Sequence, residues 1–123
     1  MGFMKSIVAV DDSRIMLKTL EDMLSEQYLF HGFSRAARAL NYIAQFPPSL
    51  ILLDIDMPEV DGYAMLGIIR ESDGLSKIPV IFLTSNNERD YVIKAVKYGA
   101  DDYIVKPIDK GKLISKIEAL LPR

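Results

Sequence analysis

The sequence has no cysteine and no tryptophan, and its single histidine is His31. Without thiols there is neither a disulfide framework nor a thiolate metal site, and one imidazole makes no cluster for zinc. Long apolar runs are missing as well. None approaches the roughly 18 residues that a membrane span needs, and no secretory leader is visible. Nor does charge of one sign prevail: 15 Lys and Arg stand against 17 Asp and Glu, a formal net charge of -2. No basic run dominates any stretch, so no direct contact with nucleic acid or membrane is expected, and the expected location is cytoplasmic. What is present is an ordinary globular composition, 50% apolar and 26% charged over 123 residues. That length can bury one core without staples, and residues 1–123 read as a single domain. The opening Met1-Gly2-Phe3-Met4-Lys5-Ser6 fits the loose N-myristoylation pattern. The pattern is short and Lys5 already leads into a strand, so an ordinary initiator segment is the favoured reading.

Short β-branched runs alternate with longer stretches of helical spacing, which predicts βαβ units and a parallel sheet. The clearest strands are Ser6–Val10, Leu50–Leu53, Val80–Leu83 and Tyr103–Val105, continuous apolar runs of the kind covered on both faces. Tyr28–Phe33 is less clean and reads as the second of five, at an edge. Five helices fall between or after them. Ser13 is placed to cap the first, with Met16, Leu20, Met23 and Leu24 on one face. Ser34 is expected to cap the second, with Ala37, Leu40 and Ile43 inward and Pro47-Pro48 ending it. Asp61 opens a third with Met65, Leu66 and Ile69 inward. A fourth is expected from about Asn87 to Tyr98, with Tyr91, Val92, Ala95 and Val96 inward, ended by Gly99 in a left-handed turn. The last runs from about Asp109 to Leu121 and shows Leu113, Ile114, Ile117, Leu120 and Leu121 at helical spacing.

In an open parallel sheet, ligands bind outside the carboxyl ends of the strands. Asp11 and Asp12 follow the first strand, Asp54 ends the third, Thr84 ends the fourth and Lys106 follows the fifth. Singly, an Asp after a strand is usually a turn or a cap. Three carboxylates, a hydroxyl and an ammonium converging from four strand ends are another matter. Two carboxylates about 4 Å apart repel by roughly 4 kcal/mol at an effective dielectric of 20, so three must protonate in part or hold a cation. Hard oxygen ligands without His or Cys favour Mg²⁺, which typically keeps waters and a phosphate oxygen in its shell. Lys106 and Thr84 would then face phosphoryl oxygens, and a carboxylate is an adequate nucleophile towards an activated phosphoryl donor.

Asp11-Asp12, Asp54-Ile55-Asp56-Met57-Pro58 with Asp61-Gly62, Thr84-Ser85, and Gly99-Ala100-Asp101-Asp102-Tyr103-Ile104-Val105-Lys106-Pro107 together resemble the response-regulator receiver domain of two-component signalling. The resemblance runs from about Lys5 to Leu121. It implies a flavodoxin-like α/β fold, (βα)5, with a five-stranded parallel sheet in order 2-1-3-4-5 and helices on both faces. It further implies that Asp54 is the phosphoacceptor. Asp12 and Asp54 would bind Mg²⁺ directly with the backbone carbonyl of Asp56, and Asp11 would act through water. Lys106 would contact the phosphoryl group, the Lys106-Pro107 bond would be cis, and Thr84 and Tyr103 match the family's switch pair. The implied donor is a sensor histidine kinase or a histidine phosphotransfer protein. The implied output is a downstream protein bound at a face made of the fourth helix, fifth strand and fifth helix. On this reading the chain is a signalling domain rather than an enzyme, either a stand-alone regulator or the receiver of a longer protein. Asp56 and Asn86 depart from the commonest pattern, and both flank the path of a water attacking the phosphoryl group.

Asp54-Ile55-Asp56 also resembles the haloacid-dehalogenase phosphatases, in which the second Asp is a general acid/base. Pro58 stands where that family usually has Thr, however, and the acidic pair precedes the nucleophile rather than following it. A flavin site fits less well, since Asp11-Asp12-Ser13-Arg14 offers acid where a phosphate cradle needs small neutral residues. His31 reads as a partly exposed structural residue. Glu88, Arg89, Asp90, Lys94 and Lys97 read as a solvated helix face, and the methionines as core filler.

Overall fold

The computed structural model describes residues 4–57, 62–85, 93–94 and 97–121. In chain order it runs β1 (Ser6–Val10), α1 (Arg14–Leu24), β2 (Leu29–Phe33), α2 (Ala36–Gln45), β3 (Leu50–Asp54), α3 (Gly62–Glu71), β4 (Val80–Thr84), β5 (Asp102–Val105) and α4 (Lys110–Leu120). The strands form one parallel sheet in the order β2-β1-β3-β4-β5, as expected for the flavodoxin-like arrangement. Because side chains alternate along a strand, the sheet feeds two separate cores. Val8, Val10, Ile51, Leu53, Val80 and Phe82 pack beneath α2 and α3. Ile7, Ala9, Leu52, Ile81, Leu83 and Ile104 pack beneath α1 and α4. Each of these inner strands is thus covered on both faces, which is why its sequence is a continuous apolar run.

Several local expectations hold. Ser13 Oγ accepts the Met16 N–H at 3.2 Å and caps α1, while Asp109 caps α4 through Lys112 N–H at 2.9 Å. Gly99 takes φ 97°, a conformation that favours glycine. The Tyr98 N–H donates to Lys94 O at 2.9 Å just before it. Helix α2 requires a correction. It begins at Ala36 after Arg35, with no side-chain cap, so Ser34 does not serve. Its buried residues are Ala36, Ala39 and Ile43, with Leu40 partly covered and Ala37 exposed. Spacings of 3, 4 and 7 from Ala36 follow the 3.6-residue period and keep Leu40 and Ile43 on the stripe, whereas Ala37 falls off it. Asp61 and most of the helix expected over Asn87–Tyr98, including Tyr91, Val92, Ala95 and Val96, lie outside the described residues, as do Met1–Phe3.

Arg70, for which the sequence offered no role, braces the edge opposite the carboxyl ends. From α3 its guanidinium donates to Ile78 O at 2.7 Å and Gly99 O at 3.1 Å, and pairs with Asp101 Oδ2 at 2.9 Å. That same oxygen accepts the Val80 N–H at 2.8 Å. The starts of β4 and β5 are thereby tied to α3, and the far ends of those strands carry Thr84 and Lys106. No helix among the described residues is long and apolar enough to cross a membrane.

Candidate functional site

The ladder aligns the carboxyl ends of four strands. Asp11 prolongs β1, its N–H donating to Phe33 O at 3.0 Å. Asp54 closes β3 opposite Leu83 of β4. Thr84 closes β4, and its carbonyl accepts the Lys106 N–H at 2.7 Å. Among the described residues the buried polar side chains are Asp11, Asp54 and Thr84. All lie on this one edge, where burying a charge is costly unless something compensates it.

The oxygens of Asp11, Asp12 and Asp54 come within 4.8 Å of one another, with Asp12 exposed at the mouth. Ser13 N–H donates to Asp11 Oδ1 at 2.9 Å and Asp56 N–H to Asp54 Oδ1 at 3.2 Å. Lys106 Nζ stands 2.9 Å from Asp11 Oδ2 and 3.6 Å from Asp54 Oδ1. The contact with Asp11 is short but off-axis, so this buried oxygen accepts no well-directed hydrogen bond. Burial, and then the Asp11 carboxylate, push Asp54 up to about 6, against the pull of Lys106 and the Asp56 N–H. For Lys106, burial opposes the charge, but Asp11, Asp54 and Asp12 more than offset it and hold the ammonium above its ordinary value. Three carboxylates thus face one ammonium. The cluster offers only oxygen ligands, carries more carboxylates than one ammonium can neutralise and holds Asp54 above its ordinary value, all of which suits a hard divalent cation such as Mg²⁺.

The remaining candidates are placed as follows. The Asp56 side chain is exposed and outside the carboxylate group, and its main chain adjoins Asp54. The Lys106-Pro107 peptide bond is cis. Tyr103 is half-buried on β5, packed against the core beneath α2 and α3, with Lys116 Nζ 5.6 Å from its ring centroid. Lys116 is held there by Asp102 at 2.9 Å and 3.0 Å. Asn86 and Pro58 lie outside the described residues.

Gly62 acts through its lack of a side chain. A Cβ there would lie 2.7 Å from Asp54 O and 2.8 Å from Ile55 Cα, and its N–H donates to Ile55 O at 2.9 Å. The start of α3 is thus pressed onto the backbone that carries Asp54. Gly62→Ala is expected to lower stability by about 1–3 kcal/mol, because backbone cannot yield as a side-chain tip can. Chemical denaturation would measure it, and an unchanged midpoint would show that α3 can retreat freely.

The family model described as the response regulator receiver domain matches residues 7–118. The chain belongs to that family. Transcriptional regulatory protein GltR of Pseudomonas aeruginosa is 36% identical over 121 residues, which is 97% of this chain and 50% of that protein. The signal receiver domain of a signal transduction histidine kinase from Syntrophus aciditrophicus is 33% identical with a TM-score of 0.86, covering 95% of this chain and 89% of that one. Vibrio cholerae chemotaxis protein CheY4, at 22% identity and a TM-score of 0.91 over 97% of this chain and 100% of its own, shares the fold. The chain spans about half the length of the curated relatives it matches. It is a receiver domain of two-component signalling, and the phosphatase reading is left without support.

Proposed function

We propose that this receiver takes a phosphoryl group onto Asp54 from the phosphohistidine of a sensor histidine kinase or histidine phosphotransfer protein. The observation that carries it is the placement of Asp54: buried at a strand end, within 4.8 Å of the Asp11 and Asp12 oxygens and 3.6 Å from Lys106 Nζ. In the transfer, the P–N bond of the donor breaks, its electron pair stays on the imidazole, and an Asp54 oxygen forms the new P–O bond. With a pKa of about 6, Asp54 is largely ionised at neutral pH and available as the nucleophile. Asp12 and Asp54, with the backbone carbonyl of Asp56, would hold Mg²⁺, and Asp11 would act through water. When bound, the ion supplies positive charge to the phosphoryl oxygens. Lys106 and the Thr84 hydroxyl neutralise and orient the same group. Residues 1–123 act as one domain in the cytoplasm, signalling through a downstream protein.

Mg²⁺ binding tests the ligand set. Asp12→Ala should weaken affinity by roughly tenfold or more, the scale of losing one carboxylate ligand. Because Asp12 is exposed, its loss should change metal-free stability by less than about 1 kcal/mol. Titration calorimetry showing wild-type affinity in that variant would place the ion elsewhere.

Phosphorylation is read out, on this proposal, through Thr84 and Tyr103. A Thr84 hydroxyl drawn to a phosphoryl oxygen leaves room behind β4, and the half-buried Tyr103 ring on the adjacent strand moves in to fill it. Burying the rest of that ring contributes on the order of 1–3 kcal/mol, enough to shift a two-state population tenfold. Beryllofluoride should therefore perturb amide shifts across residues 87–108 in the wild type and much less in Thr84→Ala. Equal responses in the two would uncouple the pair.

A further inference from the structure

The two edges of the sheet are built differently. At β5 the edge carries Asp102, with Asp101 and Lys106 flanking it and Lys116 paired across it. Charges on an edge strand deter pairing with another chain. At β2 the strand reads Leu29-Phe30-His31-Gly32-Phe33, with neither a formal charge nor a proline. Leu29, 51% exposed, and His31 lie open on it.

The hydrogen-bond pattern settles which groups face outward. Leu29 N–H donates to Lys5 O, and Phe33 O accepts the Asp11 N–H, so Leu29 and Phe33 turn their polar groups towards β1. Alternation along a parallel strand gives His31 the same sense and leaves the N–H and C=O of Phe30 and Gly32 pointing away from the sheet. Side chains alternate as well. His31 and Phe33 lie against Tyr42 of α2, with ring centroids 5.1 Å apart in each case. Phe30 and Gly32 line a cleft of about 340 Å³ beside Leu17 of α1. A Cβ on Gly32 would come within 3.3 Å of both Leu17 Cδ2 and the Phe30 ring of the same chain.

We propose that the outer edge of β2 pairs antiparallel with β2 of a second copy of this chain, about a two-fold axis at His31. This register uses every outward group. Phe30 of one copy lies opposite Gly32 of the other, and each such pair exchanges both of its hydrogen bonds. A slip by one residue would set outward groups against inward ones. A slip by two would leave one of the two residues without its partner. The side chains match in the same register. On one face Gly32, already lying under Leu17 and Phe30 of its own chain, puts no side chain between the strands and lets the partner's backbone approach. On the other face Leu29 meets the partner's Phe33, which covers the exposed leucine. Opposite His31 stands its own symmetry mate. A strand free of formal charge is complementary to itself, as a two-fold interface requires.

The absence of native cysteine allows a test of register. In this arrangement the His31 positions form a non-hydrogen-bonded pair about 4.5 Å apart between Cα atoms, within disulfide range. The two Leu29 positions stand four residues out of step, about 13 Å apart. His31→Cys should therefore oxidise to a covalent dimer at least about tenfold faster than Leu29→Cys. The full chain should approach twice its mass in sedimentation equilibrium as concentration rises into the millimolar range, and His31→Lys, which sets like charges opposite each other, should stay monomeric while keeping its circular dichroism. A wild-type chain that remains monomeric, or a Leu29→Cys variant that cross-links as fast as His31→Cys, overturns the proposal. Neither outcome bears on phosphorylation of Asp54.

Discussion

Asp54→Asn should take up no phosphate from acetyl phosphate and Mg²⁺, whereas the wild-type chain should gain one group per molecule. The amide has no anionic oxygen to attack phosphorus, so the loss should be roughly a hundredfold or more, as when other nucleophiles are removed. The neighbouring acids are poorly placed to take over. Asp11 is engaged by the Ser13 N–H and by Lys106 at 2.9 Å. Asp12 is exposed at the mouth, and the ammonium lies against Asp11 and Asp54. Intact-protein mass spectrometry gives the stoichiometry directly. Undiminished labelling in the variant, or a label that moves to Asp12, would remove Asp54 from its role as acceptor.

The sequence disclosed this site readily because each candidate lies at the end of a strand whose apolar run is easy to recognise. Once Leu50–Leu53 and Val80–Leu83 are strands, Asp54 and Thr84 must emerge on the same edge, and the parallel sense of the sheet follows from the intervening helices. Edge strand β2 was harder to read, since Leu29 and His31 are exposed and break the continuous apolar signal. In α2 the sequence points to Leu40 and Ile43 correctly but cannot choose among the like side chains of Ala36, Ala37 and Ala39; packing in the core with Val8 and Ile51 selects Ala36 and Ala39 and leaves Ala37 exposed. Arg70 left no local trace at all. Its partners at Ile78, Gly99 and Asp101 are 8 to 31 residues away, and no periodicity signals a donor that bridges loops. Gly62 was visible as part of a motif, but the reason for it is the close approach of the Asp54 carbonyl, which only the fold brings about.

Stability without a divalent cation should fall as pH rises from about 4 to about 7, and Asp54→Asn should remove most of that fall. Asp54 stands at about 6 in the folded chain against an ordinary value of 3.8, so the folded state holds the proton more tightly than the unfolded one. Below the unfolded value both states are protonated and there is no penalty. As pH rises the unfolded chain ionises first, unfolding releases a proton and becomes progressively easier. Above about 6 both states are ionised and the full cost of burying the carboxylate beside Asp11 is in place. A gap of roughly two pKa units corresponds to about 3 kcal/mol, reduced to about 1–3 kcal/mol by water at the open mouth of the site. Lys106, raised rather than lowered, contributes stability that is lost only in a separate alkaline window, as pH passes its folded value. The Asn amide can still accept the Asp56 N–H while adding no charge beside Asp11. At pH 7 the variant should therefore melt several degrees higher than wild type, a difference that closes near pH 4. Millimolar Mg²⁺ should raise the wild type and leave the variant nearly unmoved, closing the gap from the other side. A difference that does not change with pH, or a variant less stable than wild type at neutral pH without metal, would mean that the Asp54 carboxylate is compensated within the fold and has no need of a cation.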